Sequence, residues 1–392
     1  VKPKSPLIAV FLTVVIDLLG FGIVMPLLPR YAELHGATGL QRGLLFACFS
    51  GMQFLFAPLW GRLSDRVGRR PVLLMGLVGS MVAYLLFAVA ELTDFALPLL
   101  FISRIAAGIS GATISTASAY IADVTTPEQR GRGMALIGAA FGIGFTLGPV
   151  IGGLGDSIHV AVPGLFAAGF SALAFLYAWR NLPEPERRHA ARARGWLERS
   201  AVRAALATPS ILRLLLLAVL ATAAFAMFES TLSVLTRHEF GLTTPQNGWL
   251  FAYVGLWLIL AQGLLVRRLM PRLGEVRLVR AGALLLAAGL VAIAFTTTTA
   301  ALYGVIPLTV VGFAFLTPSL SSLVSRRTSP ETQGEVLGLY QSGLSLARII
   351  GPLAGNALQD VGFDLPYLAG AGALALAFVL ALGLRESAPA PA

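Results

Sequence analysis

Residues 43–92 read GLLFACFSGMQFLFAPLWGRLSDRVGRRPVLLMGLVGSMVAYLLFAVAEL. Two apolar runs, 43–61 and 71–92, flank a short stretch holding Arg62, Asp65, Arg66, Arg69 and Arg70. Each run has roughly the 20 residues that a helix needs to cross a hydrocarbon core about 30 Å thick. The same pattern fills the chain. Of its 392 residues 56% are hydrophobic and 12% charged, against roughly 25% charged in soluble domains. Twelve such spans are expected, at about 7–29, 43–61, 71–92, 96–119, 132–154, 161–181, 211–235, 247–268, 278–297, 301–323, 334–357 and 363–384. The runs are continuous rather than alternating in polarity, so they read as helices and not as barrel strands, because lipid leaves no other way to satisfy the backbone.

The net charge of +10 points to lipid rather than nucleic acid once its distribution is read. With alternate loops on opposite sides, Arg30, Arg42 and Arg237 fall on one side, Arg104 and Arg348 lie inside spans, and all other Lys and Arg gather on the second side. The positive-inside bias makes that second side, with both termini, cytoplasmic. The first run carries Asp17 and two prolines with no small-residue cleavage site after it, so it is expected to be a retained helix. The single cysteine, Cys48, excludes an internal disulfide, and four scattered histidines have no metal-site spacing. Neither metal nor cofactor is expected.

The chain is a duplication. TPEQRG at 126–131 answers SPETQG at 329–334, and GPVIGG at 148–153 answers GPLAGN at 351–356, all at one offset of 203 residues. A weaker echo pairs Arg62, Arg66 and Gly68 with Arg268, Arg272 and Gly274, with Pro271 where the first copy has Asp65. The expected fold class is therefore an all-α polytopic membrane protein of two pseudo-symmetric six-helix bundles, 1–181 and 211–392, joined by an Arg-rich cytoplasmic linker at 182–210 in which Trp196 and Leu197 suit an interfacial helix. Six helices return each half to its starting side, so the repeats are parallel, an architecture suited to alternating access.

These residues carry a resemblance. GRLSDRVGRRPVL (61–73) resembles the loop signature between helices 2 and 3 of the major facilitator superfamily. IDLLGFGIVMPLLP (16–29), RIAAGISGA (104–112) and GFTLGPVIGG (144–153) resemble the first-, fourth- and fifth-helix signatures of its twelve-helix drug:proton antiporters, in particular the tetracycline efflux group. The last departs from pattern at Ala135, where the family usually has a glycine.

Gly61 and Gly68 suit a tight reversal, and Pro71 suits the first turn of span 3. The resemblance implies that Gly61, Asp65, Arg66, Gly68, Arg69, Arg70 and Asp123 form a cytoplasmic gate. In it Asp65 would pair with the end of span 11 while Asp123 holds the loop arginines. It also implies that the stripe of Gly144, Gly148, Pro149, Gly152 and Gly153 packs against the other half and seals the pathway against protons. Close packing alone is an equal reading of that stripe, which has a counterpart in Ala347, Gly351 and Gly355.

Four charges lie within spans: Asp17, Arg104, Glu229 and Arg348. Each costs about 2.5–3.5 kcal/mol if it faces lipid at a helix centre, so each is expected to face a cavity or another charge. Asp17 and Arg104 are the expected proton-coupling pair, with a buried structural ion pair as the alternative. Phe21, Glu229, Tyr253, Trp257, Tyr340, Gln341 and Arg348 are candidate substrate contacts, an aromatic surface with a few polar groups. The expected function is export of an amphiphilic, drug-like or tetracycline-like small molecule in exchange for protons, by a monomer in the inner membrane. Uptake of a nutrient by the same fold is the nearest rival, and a non-transporting receptor a remote one. Enzyme activity is not expected, since the sequence shows neither a phosphate-binding glycine loop nor a nucleophile with a histidine partner.

Overall fold

The computed structural model describes residues 6–111, 113–185, 208–329 and 332–384, all helix and short connection without strands. Most of 182–210, including Trp196 and Leu197, lies outside the described residues. Span 1 is α1 (Pro6–Val24) and α2 (Leu28–Leu34), with Pro26 in the turn between them and Pro29 in the first turn of α2. There follow α3 (Gly39–Val67), α4 (Arg69–Ala90), α5 (Ala96–Ser110), α6 (Thr113–Val124), α7 (Pro127–Asp156) and α8 (Val162–Asn181). The second repeat holds α9 (Pro209–Phe240), α10 (Thr244–Leu260), a π-helical turn at Ala261–Val266, α11 (Arg267–Leu273), α12 (Glu275–Ala294), α13 (Thr299–Arg326), α14 (Gln333–Gln359) and α15 (Leu365–Leu382). Among the described residues eleven segments are long and apolar enough to cross a membrane. The remaining expected span is α14, which has the length but carries Gln341, Ser345, Arg348 and Asn356.

One sequence expectation is corrected at the opening stretch. Gly61 does not turn the chain: α3 runs through it to Val67, and nothing lies within 4 Å of where its Cβ would be. Gly68 alone makes the reversal, at φ +111°, in a region that L side chains avoid. The helix outlasts the apolar run because Arg62, Asp65 and Arg66 are good enough helix residues once in water, and no breaker intervenes before Gly68. Pro71 falls in the first turn of α4, where its missing N–H costs nothing. At the other end of α3, Thr38 accepts from Gln41 N while the Gln41 side chain accepts from Thr38 N, a reciprocal cap that fixes the helix start.

The chain separates into two compact units. The first takes the described part of residues 1–194 together with Thr236–Leu256, and the second takes the rest. In the first unit α1 is central, packed on α7 and α8. Ile23, Leu28, Tyr31, Phe87 and Leu100 bury its α2-side half, and Val10, Val14, Leu73, Leu77 and Tyr120 the other. In the second unit α12 packs on α13 and α15, and the close approach depends on Gly282 against Gly312 and Gly289 against Thr309.

Candidate functional site

Asp17 lies mid-way along α1, beside Ser80 of α4 and Ser171 of α8. Its Oδ1 is sealed from solvent without a hydrogen-bond partner. Three residues on, Gly20 leaves room for the Tyr84 ring, whose Cε2 would lie 3.1 Å from a Cβ there. Tyr84 in turn feels the charges of both Asp17 and Arg104. Arg104, 2% exposed, holds its guanidinium 6.0 Å from the Tyr84 ring centre and 5.4 Å from that of Phe87, and donates to Ser103 Oγ at 3.0 Å. No ion pair joins it to Asp17. Tyr84 of α4, on which α5 packs, is an electrostatic neighbour of both charges. Phe21, one turn from Asp17, meets Phe49 at 5.3 Å and Phe145 at 5.7 Å. Phe49 and Phe145 escaped the sequence reading because a phenylalanine in an apolar run carries no signal of its own.

At the Gly68 end, Arg69 gathers the charges. Its Nη1 lies 2.6 Å from Asp65 Oδ1 and donates to Ser64 Oγ at 2.6 Å, and its Nε lies 2.9 Å from Asp123 Oδ2. Thus Asp65 pairs with Arg69 across the reversal, and Asp123 holds the same arginine. Arg70 donates from Nη2 to the Trp179 carbonyl at 2.6 Å, while Arg66 is exposed. Glu184, which no sequence motif marked, accepts from the backbone N–H of Arg69 at 2.7 Å and of Arg70 at 2.9 Å. It supplies the cap that Gly68, without a side chain, cannot.

The second repeat keeps this clasp with its charges exchanged. Gly274, at φ +80°, occupies the place of Gly68, and Glu275 follows it where Arg69 follows Gly68. Glu275 Oε1 lies 2.8 Å from Arg326 Nη1 and accepts from Ser322 Oγ at 3.1 Å. Arg326 stands 203 residues after Asp123, the offset of the duplication. The weak echo at 206 therefore marked a shared geometry whose ion pair had been inverted.

The glycine stripe of α7 divides between two partners. A Cβ at Gly144 would lie 2.7 Å from Leu18 O, one at Gly148 2.6 Å from Gly22 C, and one at Gly152 2.7 Å from Ile23 O. These three glycines pack on α1 of their own repeat. Gly351 and Gly355 of α14 pack likewise on Ala223 and Met227 of α9, so the duplicated sequence makes a duplicated contact. A different face of α7 meets the second repeat: Gly153 faces Thr244 and Pro245, Pro149 faces Gly248, and Phe145 and Thr146 face Gly255, each at 2.5–3.0 Å from where the glycine's Cβ would be. Here small residues of α10 admit the backbone of α7. The side chains of Ala135 and of residues 127–132 lie outside what the structure describes.

In the second unit Glu229 is half-buried and Arg348 exposed; the arginine acts on the carboxylate through space without an ion pair within 4.0 Å. Gln341, Ser345 and Arg348 form one polar stripe along α14, and Tyr340 is buried beside it. Tyr253 belongs to the first unit and Trp257 to the second, both half-buried. The π turn after Leu260 follows directly, a feature often found where helices carry function. Among the described residues no group of His, Cys, Asp and Glu is placed to hold a metal ion.

The family model described as Major Facilitator Superfamily matches residues 10–352 and 214–392. The class E tetracycline resistance protein of Escherichia coli is 35% identical over 86% of this chain and 84% of its own length. Multidrug resistance protein 1 of Bacillus subtilis is 30% identical over 99% of this chain and 98% of its own. The crystal structure of the human organic anion transporter MFSD10 superposes with a TM-score of 0.72 at 31% identity, covering 97% of this chain and 100% of that one. Such relatives are transporters and not enzymes. A duplicated six-span chain, an Arg-rich reversal at Gly68 and similarity over most of their length to tetracycline and multidrug resistance proteins agree: the protein is a multi-pass membrane transporter of small molecules and belongs to the Major Facilitator Superfamily.

Proposed function

We propose that the protein is a monomeric proton-coupled antiporter of the inner membrane, with both termini cytoplasmic, that exports an amphiphilic small molecule by alternating access. The observation that carries this reading is Asp17, half-buried beside α4 and α8, whose carboxylate has one oxygen sealed and unpartnered and no cation bonded to it. A carboxylate that can take up and release a proton as its surroundings change is what coupling requires. Arg104, held beside the Tyr84 and Phe87 rings, shares Tyr84 with Asp17 as an electrostatic neighbour. Within the first unit the Phe21, Phe49 and Phe145 rings offer apolar surface, and within the second Glu229 and the Gln341, Ser345, Arg348 stripe offer polar groups, both suited to an amphiphilic substrate. That stripe supports a water-filled path, since lipid penalises an exposed arginine. Similarity to tetracycline and multidrug resistance proteins supports export of drug-like molecules. The Arg-rich face at Gly68 supports the orientation.

The test is transport in proteoliposomes under separately imposed pH and voltage gradients, with a panel of lipophilic cations, neutral drugs and organic anions. Asp17→Asn, which imitates the protonated acid, is expected to keep binding neutral substrate while losing pH-driven accumulation and substrate-induced proton release. Unchanged proton release in Asp17→Asn would move the coupling role to another group, with Glu229 next in line.

A further inference from the structure

The end of the molecule opposite Gly68 holds a cluster of titratable groups that none of the motifs covers. Glu33, at the end of α2, is its centre. His238 Nε2 of α9 lies 2.8 Å from Glu33 Oε1, Arg42 Nη1 of α3 lies 3.7 Å from the same oxygen, and Arg237 Nη1 of α9 lies 3.7 Å from Oε2. Glu33 and Arg42 belong to the first repeat, Arg237 and His238 to the second. Two residues along, His35 Nε2 lies 3.2 Å from Glu91 Oε2, and Arg30 pairs with Asp156, which also accepts from Tyr31 Oη at 2.7 Å.

The corner joining α9 to α10 is itself rigid. Thr236 Oγ1 donates to Asn247 Oδ1, Leu242 N donates to Thr236 O at 3.1 Å, and Asn247 N donates to Thr243 O at 2.9 Å. This corner meets the first repeat twice: through α10 glycines on Pro149, Phe145 and Thr146 of α7, and through Arg237 and His238 on Glu33. The glycine contact is a matter of shape and has no dependence on pH. The Glu33 contact has one, because its histidine partner is charged only when protonated.

We infer that Glu33 and His238 form a pH-responsive latch that holds the α9–α10 corner against the first repeat and is tightest when the imidazole is protonated. The orientation proposed above puts this face outside the cell, so that acid outside closes it; the inference rests on that orientation. The sign follows from which charges change partner as the corner moves. Arg237 stays beside His238 in every state because both ride on α9, so their repulsion cancels between closed and open. Glu33 and Arg42 are left behind. The imidazolium gains a carboxylate at 2.8 Å on closing and meets Arg42, which sits farther out on the same carboxylate, so attraction outweighs repulsion. Glu239, exposed beside His238, also rides on α9 and cancels in the same way. The pair is partly exposed, which limits the effect to about a two- to fivefold change in the closed-to-open ratio.

The experiment uses the full-length protein in lipid nanodiscs, in a Cys48→Ser background, with paired probes on Ile158 and Gln246, both exposed. Their distance distribution is recorded without substrate between pH 8 and 5.5. The closed population is expected to rise about two- to fivefold on acidification in the parent and in His35→Gln, and to stay level in His238→Gln and in Glu33→Gln. A parent-like pH response in His238→Gln, or no response in the parent, overturns the latch. No substrate or proton gradient enters the measurement, so failure of proton exchange in the liposome assay leaves it standing. Reversed sidedness, shown by protease access to the Gly68 end from outside, would instead make the same latch a sensor of internal pH.

Discussion

Removing the Glu184 carboxylate tests whether the reversal at Gly68 is held from outside its own sequence. Gly68 has no side chain with which to cap α4, and both of the first two helical N–H groups point at Glu184, at 2.7 and 2.9 Å. A lost cap costs about 0.5–2 kcal/mol. Glu184 is exposed, and water competes for the freed N–H groups, so Glu184→Ala is expected to cost about 1 kcal/mol locally, or about fivefold in the opening equilibrium. Hydrogen exchange measured on peptides covering residues 66–72 reads that equilibrium directly. Glu184→Ala should speed exchange at Arg69 and Arg70 about fivefold, and Glu184→Gln, which keeps one acceptor, by less. Gly68→Ala should be worse than either: its φ of +111° is strained for alanine, and the new Cβ would lie 2.7 Å from Glu184 Oε1. The segment that presents Glu184 is itself anchored, since Tyr120 Oη donates to Pro183 O at 2.8 Å. Unaltered exchange at Arg69 and Arg70 in Glu184→Ala would refute the external cap, whatever happened to transport.

Gly148→Val sets a branched side chain against the backbone of Gly22 and should destabilise by about 1–3 kcal/mol or more, seen as a lower thermal midpoint in detergent, while Gly138→Ala, with nothing within 4 Å, should change little. For the inverted clasp, Glu275→Arg and Arg326→Glu should each weaken stability and the double exchange should restore it, with a coupling of about 0.2–1 kcal/mol in a double-mutant cycle because Arg326 is half-exposed. Glu91, in the loop between α4 and α5, gives a pH dependence. Burial holds its carboxyl above the ordinary value despite the nearby His35, so the folded protein binds a proton there more readily than the unfolded chain. Stability should therefore fall as pH rises from about the ordinary glutamate value through the raised one, and Glu91→Gln should flatten that part of a thermal-midpoint profile taken from pH 4 to 8. A profile in Glu91→Gln that keeps the parental slope would assign the dependence to other groups.

What the sequence determined by itself is what the bilayer dictates locally. A run of some 20 apolar residues becomes a spanning helix whatever it touches, because the backbone has no other partner in lipid. The duplication was legible for a related reason: GPVIGG and GPLAGN are small-residue helix seams, and the structure uses both in the same way, on α1 and on α9. Gly68 was legible because only glycine takes a positive φ without strain. What the tertiary structure decided is which helix faces which. Asp17 and Arg104 each lie at helical spacing with small or apolar residues, but which side chain stands beside both was set by packing: α5 lies on α4, whose Tyr84 feels both charges. The α7 stripe advertised a close approach but not its partner, since a glycine states that something comes near without stating what. Glu184 and Glu33 carry no local signal at all. Their roles come from a helix start 115 residues away and a histidine 205 residues away, contacts set by the packing of whole helices and not by any property of the residues beside them.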